Sequence, residues 1–146
     1  RLSVEPHKPW ISAIPSGAVA KKTTTCRTWI KLMGGNTDDA TTFPLYAVGA
    51  RGVISVVSNV APADMAAMWD AVVAGDWARA RALHLRLRGL IATLGVETNP
   101  IPVKAAAALQ GRIANELRLP MVPAQASTTE ALRVQLAALE RAGNDR

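Results

Sequence analysis

Residues able to do chemistry are few in this chain, and they lie apart. Asp38 and Asp39 form an adjacent carboxylate pair at the head of "DDATTFPLYAVGARGVISVVSNVAP". At the mouth of an α/β enzyme such a pair can hold or polarise a substrate. An isolated Asp pair more often caps a helix, its oxygens accepting from the free amides of the first turn, and capping is the preferred reading. Lys104 in "NPIPVK" is a candidate amine nucleophile, but an amine needs a pocket that lowers its pKa. A plain helix position is expected for it.

His84 stands between arginines and His7 in a proline-rich stretch. Neither has a second ligand at metal spacing, so no metal site is expected, and His84 is placed on the surface. Cys26 follows two lysines that can favour its thiolate, yet no base partner is identifiable, and it reads as a plain thiol. As the one cysteine of the 146 residues, it admits no intramolecular disulfide and fits a reducing compartment. Arg79, Arg81, Arg86 and Arg88 spread over more than one helix face, which describes a solvated surface rather than a phosphate-binding stripe. Trp10 and Trp29 among Lys8, Lys21, Lys22, Arg27 and Lys31 form the best nucleic-acid motif available. It lacks a binding-fold signature, so a nonspecific basic tail is expected and nucleic acid is not.

The charge distribution supports that view. Of the net +6, residues 1–37 hold six basic and one acidic side chain, a balance of +5. Residues 38–146 hold eleven basic and ten acidic, a balance of +1. Basic character thus belongs to the first quarter, and the remainder is an ordinary, nearly neutral domain. With 49% hydrophobic residues a globular class follows, and with only 4% aromatics Ala, Leu and Val must fill the core. No run is long enough for a membrane helix and Arg1 opens nothing like a signal peptide, so a cytoplasmic location without membrane contact is expected.

The elements that position these residues divide the chain in two. Residues 1–37 carry little pattern: "VEPHKPWISAIPSG" is broken by prolines, "KKTTTCRTWIKLM" alternates poorly as a strand, and "GGN" signals a turn. From Asp38 each segment has a period. "DATTFPLYAVGA" predicts a short helix capped by Asp39, with Pro44 early and Gly49 near the end. "GVISVVS" (52–58) is the near-continuous β-branched run of a strand buried on both faces. "APADMAAMWDAVVAG" predicts a helix opened by Pro62 and closed by Gly75. Asp76 can cap a longer one, with Trp77, Ala80, Leu83, Leu87, Leu90, Ile91 and Leu94 on one face and Arg79 and Arg86 mostly away from it. "NPIPVKAAAALQG" runs from an extended start into an Ala-rich helix. "STTEALRVQLAALERAG" offers Ser127 and Glu130 at capping-box spacing, Leu132, Leu136 and Leu139 on one face, and Gly143 as a stop. The tally is about five helices, one clear strand and one doubtful strand.

"DDA" (38–40), "GARGVISVVSNVAP" (49–62), "GDWARARALHLRL" (75–87), "ETNPIPVKAAA" (97–107) and "LRLPMVP" (117–123) occur in an order and spacing that resembles the C-terminal part of the dihydrodipicolinate synthase and N-acetylneuraminate lyase family, from Asp38 to about Gly143. The resemblance implies a (β/α)8 barrel with a helical extension, of which this chain would be an α/β C-terminal fragment, mostly helical on its own. Residues 38–62 would be the loop and helix after strand seven, then strand eight. Residues 63–146 would be the last barrel helix and the extension, and residues 1–37 would lie outside the family pattern. A change of reading frame, a fusion or a truncated relic each account for that break.

The implied site positions are Thr37, Asp38 and Ile54, with Ile54 lining the pyruvate site. The family has glycine where this chain has Thr37, which alters a backbone position that binds carboxylate. The implied chemistry is a class I aldol condensation of pyruvate with aspartate semialdehyde in lysine biosynthesis, with no cofactor beyond an enzyme lysine. Its Schiff base acidifies the neighbouring methyl group, and the enamine attacks an aldehyde. The family's Gly-x-Lys-Glu lysine motif is not in this sequence, and Tyr46, the one tyrosine, is not in the family's tyrosine motif. An inactive chain that forms homo-oligomers through unpaired strand edges is therefore expected, binding pyruvate only if a site is rebuilt around Lys21 or Lys22. The alternative is a helical interaction or self-assembling protein whose basic tail adds nucleic-acid affinity.

Overall fold

Apolar residues at helical spacing dominate the chain beyond Ala61, and that is where the helices form. The computed structural model describes residues 35, 36 and 38–144. In chain order they form β1 (Gly35–Asn36), a 3-10 turn (Asp39–Thr41), α1 (Thr42–Ala47), β2 (Gly52–Val53) and a second 3-10 turn (Val57–Asn59). Four longer helices follow: α2 (Pro62–Val73), α3 (Trp77–Leu94), α4 (Ile101–Leu109) and α5 (Ala126–Asn144).

Local signals set most helix ends. Pro62 opens α2, where its missing N–H would have no intrahelical partner anyway. Gly75, at φ +77°, makes the left-handed exit that a side chain would strain. The Asp76 carboxylate caps α3, accepting from the Arg79 amide at 2.9 Å. Ala80, Leu83, Leu87, Leu90 and Leu94 then bury one face against α2 and α5. Trp77, expected on that face, is 42% exposed: in the first turn of α3 it lies at the margin of the core, edge-on to Phe43.

Helix α4 is short and built of small residues, which lets it sink in on nearly all sides. Ile101, Pro102, Val103, Ala105, Ala106 and Ala107 are all buried. The helix starts directly at Ile101, so the extended Asn-Pro-Ile-Pro entry is shorter than the sequence suggests. Helix α5 begins at Ala126 and runs to Asn144, so Ser127 and Glu130 lie inside it rather than forming a capping box, and Gly143 does not stop it. The Gln125 carbonyl starts the ladder instead, accepting from the Thr129 amide at 2.9 Å. Leu132 and Leu136 are buried as expected. At Gly89 of α3 the amide end of the Gln135 side chain from α5 fills the space that a Cβ would take.

Arg86 departs from the solvated surface assigned to it. It pairs with Asp64 of α2 at 3.3 Å and donates to the Leu139 carbonyl of α5 at 2.6 Å. Arg86 borders the leucine face of α3, and its guanidinium ties together the two helices that pack there.

The strand content is smaller than the sequence pattern implies. β1 and β2 pair in parallel, Gly35 opposite Gly52 and Asn36 opposite Val53. Gly35 and Asn36, read as a turn, are therefore strand. The predicted strand over 52–58 is realised only at Gly52–Val53, and Val57–Asn59 coil into a 3-10 turn. A β-branched run extends as a strand only where a neighbour takes up its backbone groups, and among the described residues that neighbour is two residues long.

Candidate functional site

Asp38 and Asp39 part company in the structure. Asp38 is exposed and caps the turn that leads into α1: its Oδ1 accepts from the Ala40 amide at 3.1 Å and its Oδ2 from the Thr41 hydroxyl at 3.1 Å. Its backbone carbonyl accepts from the Thr42 hydroxyl at 2.9 Å. Asp39, expected to cap the same helix, turns inward and is 8% exposed. Its Oδ2 accepts from the amides of Val56 and Val57, at 2.9 and 3.0 Å. The carboxylate therefore caps the 3-10 turn after β2 and locks the loop following β1 to the exit of β2. Charged acceptors make the stronger hydrogen bonds, and Val57 is fully buried, so this is a firm clamp.

Tyr46 lies close to the clamp, buried on α1 with its ring 5.1 Å from that of Trp69. Burial raises its pKa from 10.0, and the negative charge of Asp39 raises it further. The phenol stays protonated and serves as core packing.

Ile54 lies two residues before the clamped Val56. Ile54 is 50% exposed. With Ser55, Val56, Asn99, Val103 and Lys104 it lines an open groove of about 610 Å³ between the exit of β2 and the start of α4. Both cations at this groove are committed to backbone carbonyls. Lys104 Nζ donates to the Glu116 carbonyl, and Arg112 Nη1 to the Asn59 carbonyl at 2.9 Å. Lys104 thus matches the helix position expected of it. The lining residues of the groove offer no nucleophile paired with a base.

His84 is not the surface residue expected. It is half-buried, stacked on Phe43 with ring centroids 5.4 Å apart, and its Nδ1 is buried without a partner among the described residues. Burial, and then the charge of Arg88, lower its pKa from 6.5. Lys21, Lys22, Cys26, His7, Trp10, Trp29 and Thr37 lie outside the described residues. Among those described, no group of three His, Cys, Asp or Glu residues is placed to hold a metal, and no helix is long and apolar enough to cross a membrane. Sequence reasoning missed the reach of Asp39 to Val56 and Val57. The pairing spans 17 residues and leaves no local signature.

Comparison with known proteins gives this geometry a context. The profile of the Dihydrodipicolinate synthetase family matches residues 16–139, and so begins within the segment that the motifs left aside. A 4-hydroxy-tetrahydrodipicolinate synthase of Nitratidesulfovibrio vulgaris is 50% identical over 113 residues, which are 77% of this chain and 38% of that protein. The structure of dihydrodipicolinate synthase from Thermotoga maritima superposes with a TM-score of 0.70 at 50% identity, covering 71% of this chain and 35% of its own. That of the Acinetobacter baumannii enzyme, chloride inhibited and complexed with pyruvate, does so with a TM-score of 0.70 at 33% identity, covering 78% and 41%. This chain therefore spans somewhat over a third of the length of such relatives. Its mostly helical architecture is that of the matching part of their barrel structures. The chain belongs to the Dihydrodipicolinate synthetase family.

Proposed function

We propose that this chain is the closing part of a pyruvate-dependent class I aldolase of the dihydrodipicolinate synthase type. In the whole enzyme, pyruvate would condense with aspartate semialdehyde on the way to lysine. The observation that carries this reading is the clamp of Asp39 on the Val56 and Val57 amides, which holds Ile54 at the rim of the groove. Barrel enzymes place their chemistry at the C-terminal ends of the strands, and Ile54 directly follows β2. The pyruvate complex of the Acinetobacter baumannii relative supports pyruvate as the ligand class.

In this assignment β1 and β2 are the ends of strands seven and eight, and residues 38–62 complete the barrel. Residues 63–146 supply its last helix and the helical extension. Thr37, Asp38 and Ile54 are the substrate-facing positions. What the segment lacks is the amine. Without an iminium the methyl group of pyruvate keeps its high pKa and no enamine forms. The Gly-x-Lys-Glu motif is not among these 146 residues, and Tyr46 is a packed phenol rather than a proton relay. The chain alone is expected to be inactive, with no cofactor replacing the lysine.

Borohydride reduction in the presence of pyruvate, read by intact mass and peptide mapping, tests this. The expected result is no site-specific adduct. A single adduct on Lys21 or Lys22 would overturn the inactivity and place a rebuilt Schiff-base site upstream of Asp38.

A second reading is favoured by apolar side chains standing in solvent: Leu119 is 87% exposed, Val48 79% and Val122 59%. Such residues support self-association of the chain into a homo-oligomer.

A further inference from the structure

Arg79 and Arg86 stand two turns apart on the same side of α3, about 10 Å along its axis. With Ala82 and Leu83 between them they line an open pocket of about 320 Å³, and both polar side chains of that lining are cationic. The two guanidiniums are held differently. Arg86 is fixed by Asp64 of α2 at 3.3 Å and by the Leu139 carbonyl of α5 at 2.6 Å, and its side chain is 18% exposed. Its Nε is buried with no acceptor among the described residues. A guanidinium carries five N–H donors in one plane, and these two acceptors do not use them all. Arg79 is exposed, and among the described residues its guanidinium has no ion pair or hydrogen bond. Asp76 takes up the Arg79 backbone amide rather than the side chain.

Asp64 offsets the charge of Arg86, and Asp76 faces the amides at the head of α3, which leaves the charge of Arg79 uncompensated at the pocket. We infer that this pocket binds a small oxyanion, a carboxylate or phosphate group received between the guanidiniums of Arg79 and Arg86. The planar fork of a guanidinium matches both groups. Arg86 supplies a donor already fixed in place, and its partial burial makes the attraction stronger than it would be in bulk water. Arg79 supplies a mobile arm that closes over the ligand. Leu83, 6% exposed, gives the pocket an apolar floor for any carbon body the anion carries. An occupant would add one more acceptor to the junction of α2, α3 and α5, so its binding should stabilise the fold. The pocket shares no lining residue with the groove at Ile54, and the inference does not rest on the aldol reading.

The test is an NMR titration of the full chain with inorganic phosphate and, separately, with butyrate, at an ionic strength held constant with chloride. Saturable shifts are expected at Ala82, Leu83 and Arg86, together with a rise in the thermal midpoint. Saturation by phosphate alone assigns the site to phosphate groups, and saturation by butyrate alone assigns it to carboxylates with a carbon body. Arg79→Gln should weaken binding about tenfold. It should leave the midpoint of the ligand-free chain in place, because the side chain is exposed and the backbone amide that Asp76 caps is kept. Arg133→Gln, which removes an exposed cation of α5, should leave the affinity unchanged. Arg86→Gln also cuts the tie between α2 and α5, so Arg79→Gln is the deciding variant. Three outcomes overturn the inference: shifts that stay linear with both anions, saturable binding that is indifferent to Arg79→Gln, or an equal loss in Arg79→Gln and Arg133→Gln, which would be general charge screening.

Discussion

The helices α2 to α5 and the strand end, residues 35–61, satisfy their backbones by different means. A helix makes its hydrogen bonds within itself and needs only to bury an apolar stripe. Met68, Leu87, Leu90 and Leu132, all fully buried, supply that layer from α2, α3 and α5. A strand makes its bonds to another segment, and among the described residues β2 has two residues of partner. Side chains stand in for the missing ladder. Asp39 accepts from Val56 and Val57, the Ser55 hydroxyl accepts from the Ser58 amide at 2.8 Å, and Asn59 Nδ2 donates to the Val56 carbonyl at 3.0 Å. Gln110 of α4's end donates to the Val60 carbonyl at 3.0 Å. The helical part satisfies its backbone within itself, whereas the strand end adds polar side-chain contacts to the packing of Tyr46, Val57 and Val60 that joins it to the same core.

The sharpest way to break that contrast is one large-to-small substitution in each region. Leu87→Ala empties a fully buried site on α3 and should cost about 2–5 kcal/mol in urea unfolding. Ile54→Ala removes a side chain already half in solvent and should stay within about 0.5 kcal/mol. If the order came out reversed, the strand end would be part of the cooperative core.

A smaller effect should come from the stitching itself. Asp39→Ala leaves the buried Val57 amide without its acceptor, at a cost of about 1–3 kcal/mol. Asp39→Asn keeps an acceptor oxygen but loses the charge, and should cost less than Asp39→Ala. Hydrogen exchange distinguishes a local clamp from a global one. The Val56 and Val57 amides should exchange faster, while those of Leu87 and Leu90 hold their rates. Uniform loss across both regions would make them one unit.

What was legible in the sequence follows the same division. Pro62, Asp76, Gly75 and the leucine face of α3 could be read directly, because a helix encodes its ends and its buried face within a few residues. The length of β2 could not, because it depends on a partner and not on the β-branched run alone. The bonds of Asp39 and Arg86 reach 17 and 53 residues along the chain, so periodicity carries no trace of them. Ser127 had the right spacing for a cap, but packing against α4 and α3 carries α5 past it. For the candidate site, Asp38 and Ile54 came from motif resemblance. The physical connection between the two loops became visible only in three dimensions.

The subtlest probe addresses α1, the element between the two regions: Phe43 stacks on His84 of α3, and Tyr46 packs against Trp69 of α2. Folding lowers the His84 pKa below 6.5, by burial and by the charge of Arg88. Between 6.5 and that lowered value the unfolded chain binds more protons than the folded one, so stability should fall as pH drops through this window. Tyr46 works in the opposite direction. Its pKa is raised above 10.0, so its contribution is intact below 10.0 and is lost as pH climbs towards the raised value. His84→Phe keeps an aromatic ring on Phe43 and removes the titrating group. Thermal midpoints followed from neutral to acid pH should fall less in this variant than in the parent, while their decline above 10.0 stays the same. Parallel acid limbs would move the acid sensitivity away from the α1–α3 contact.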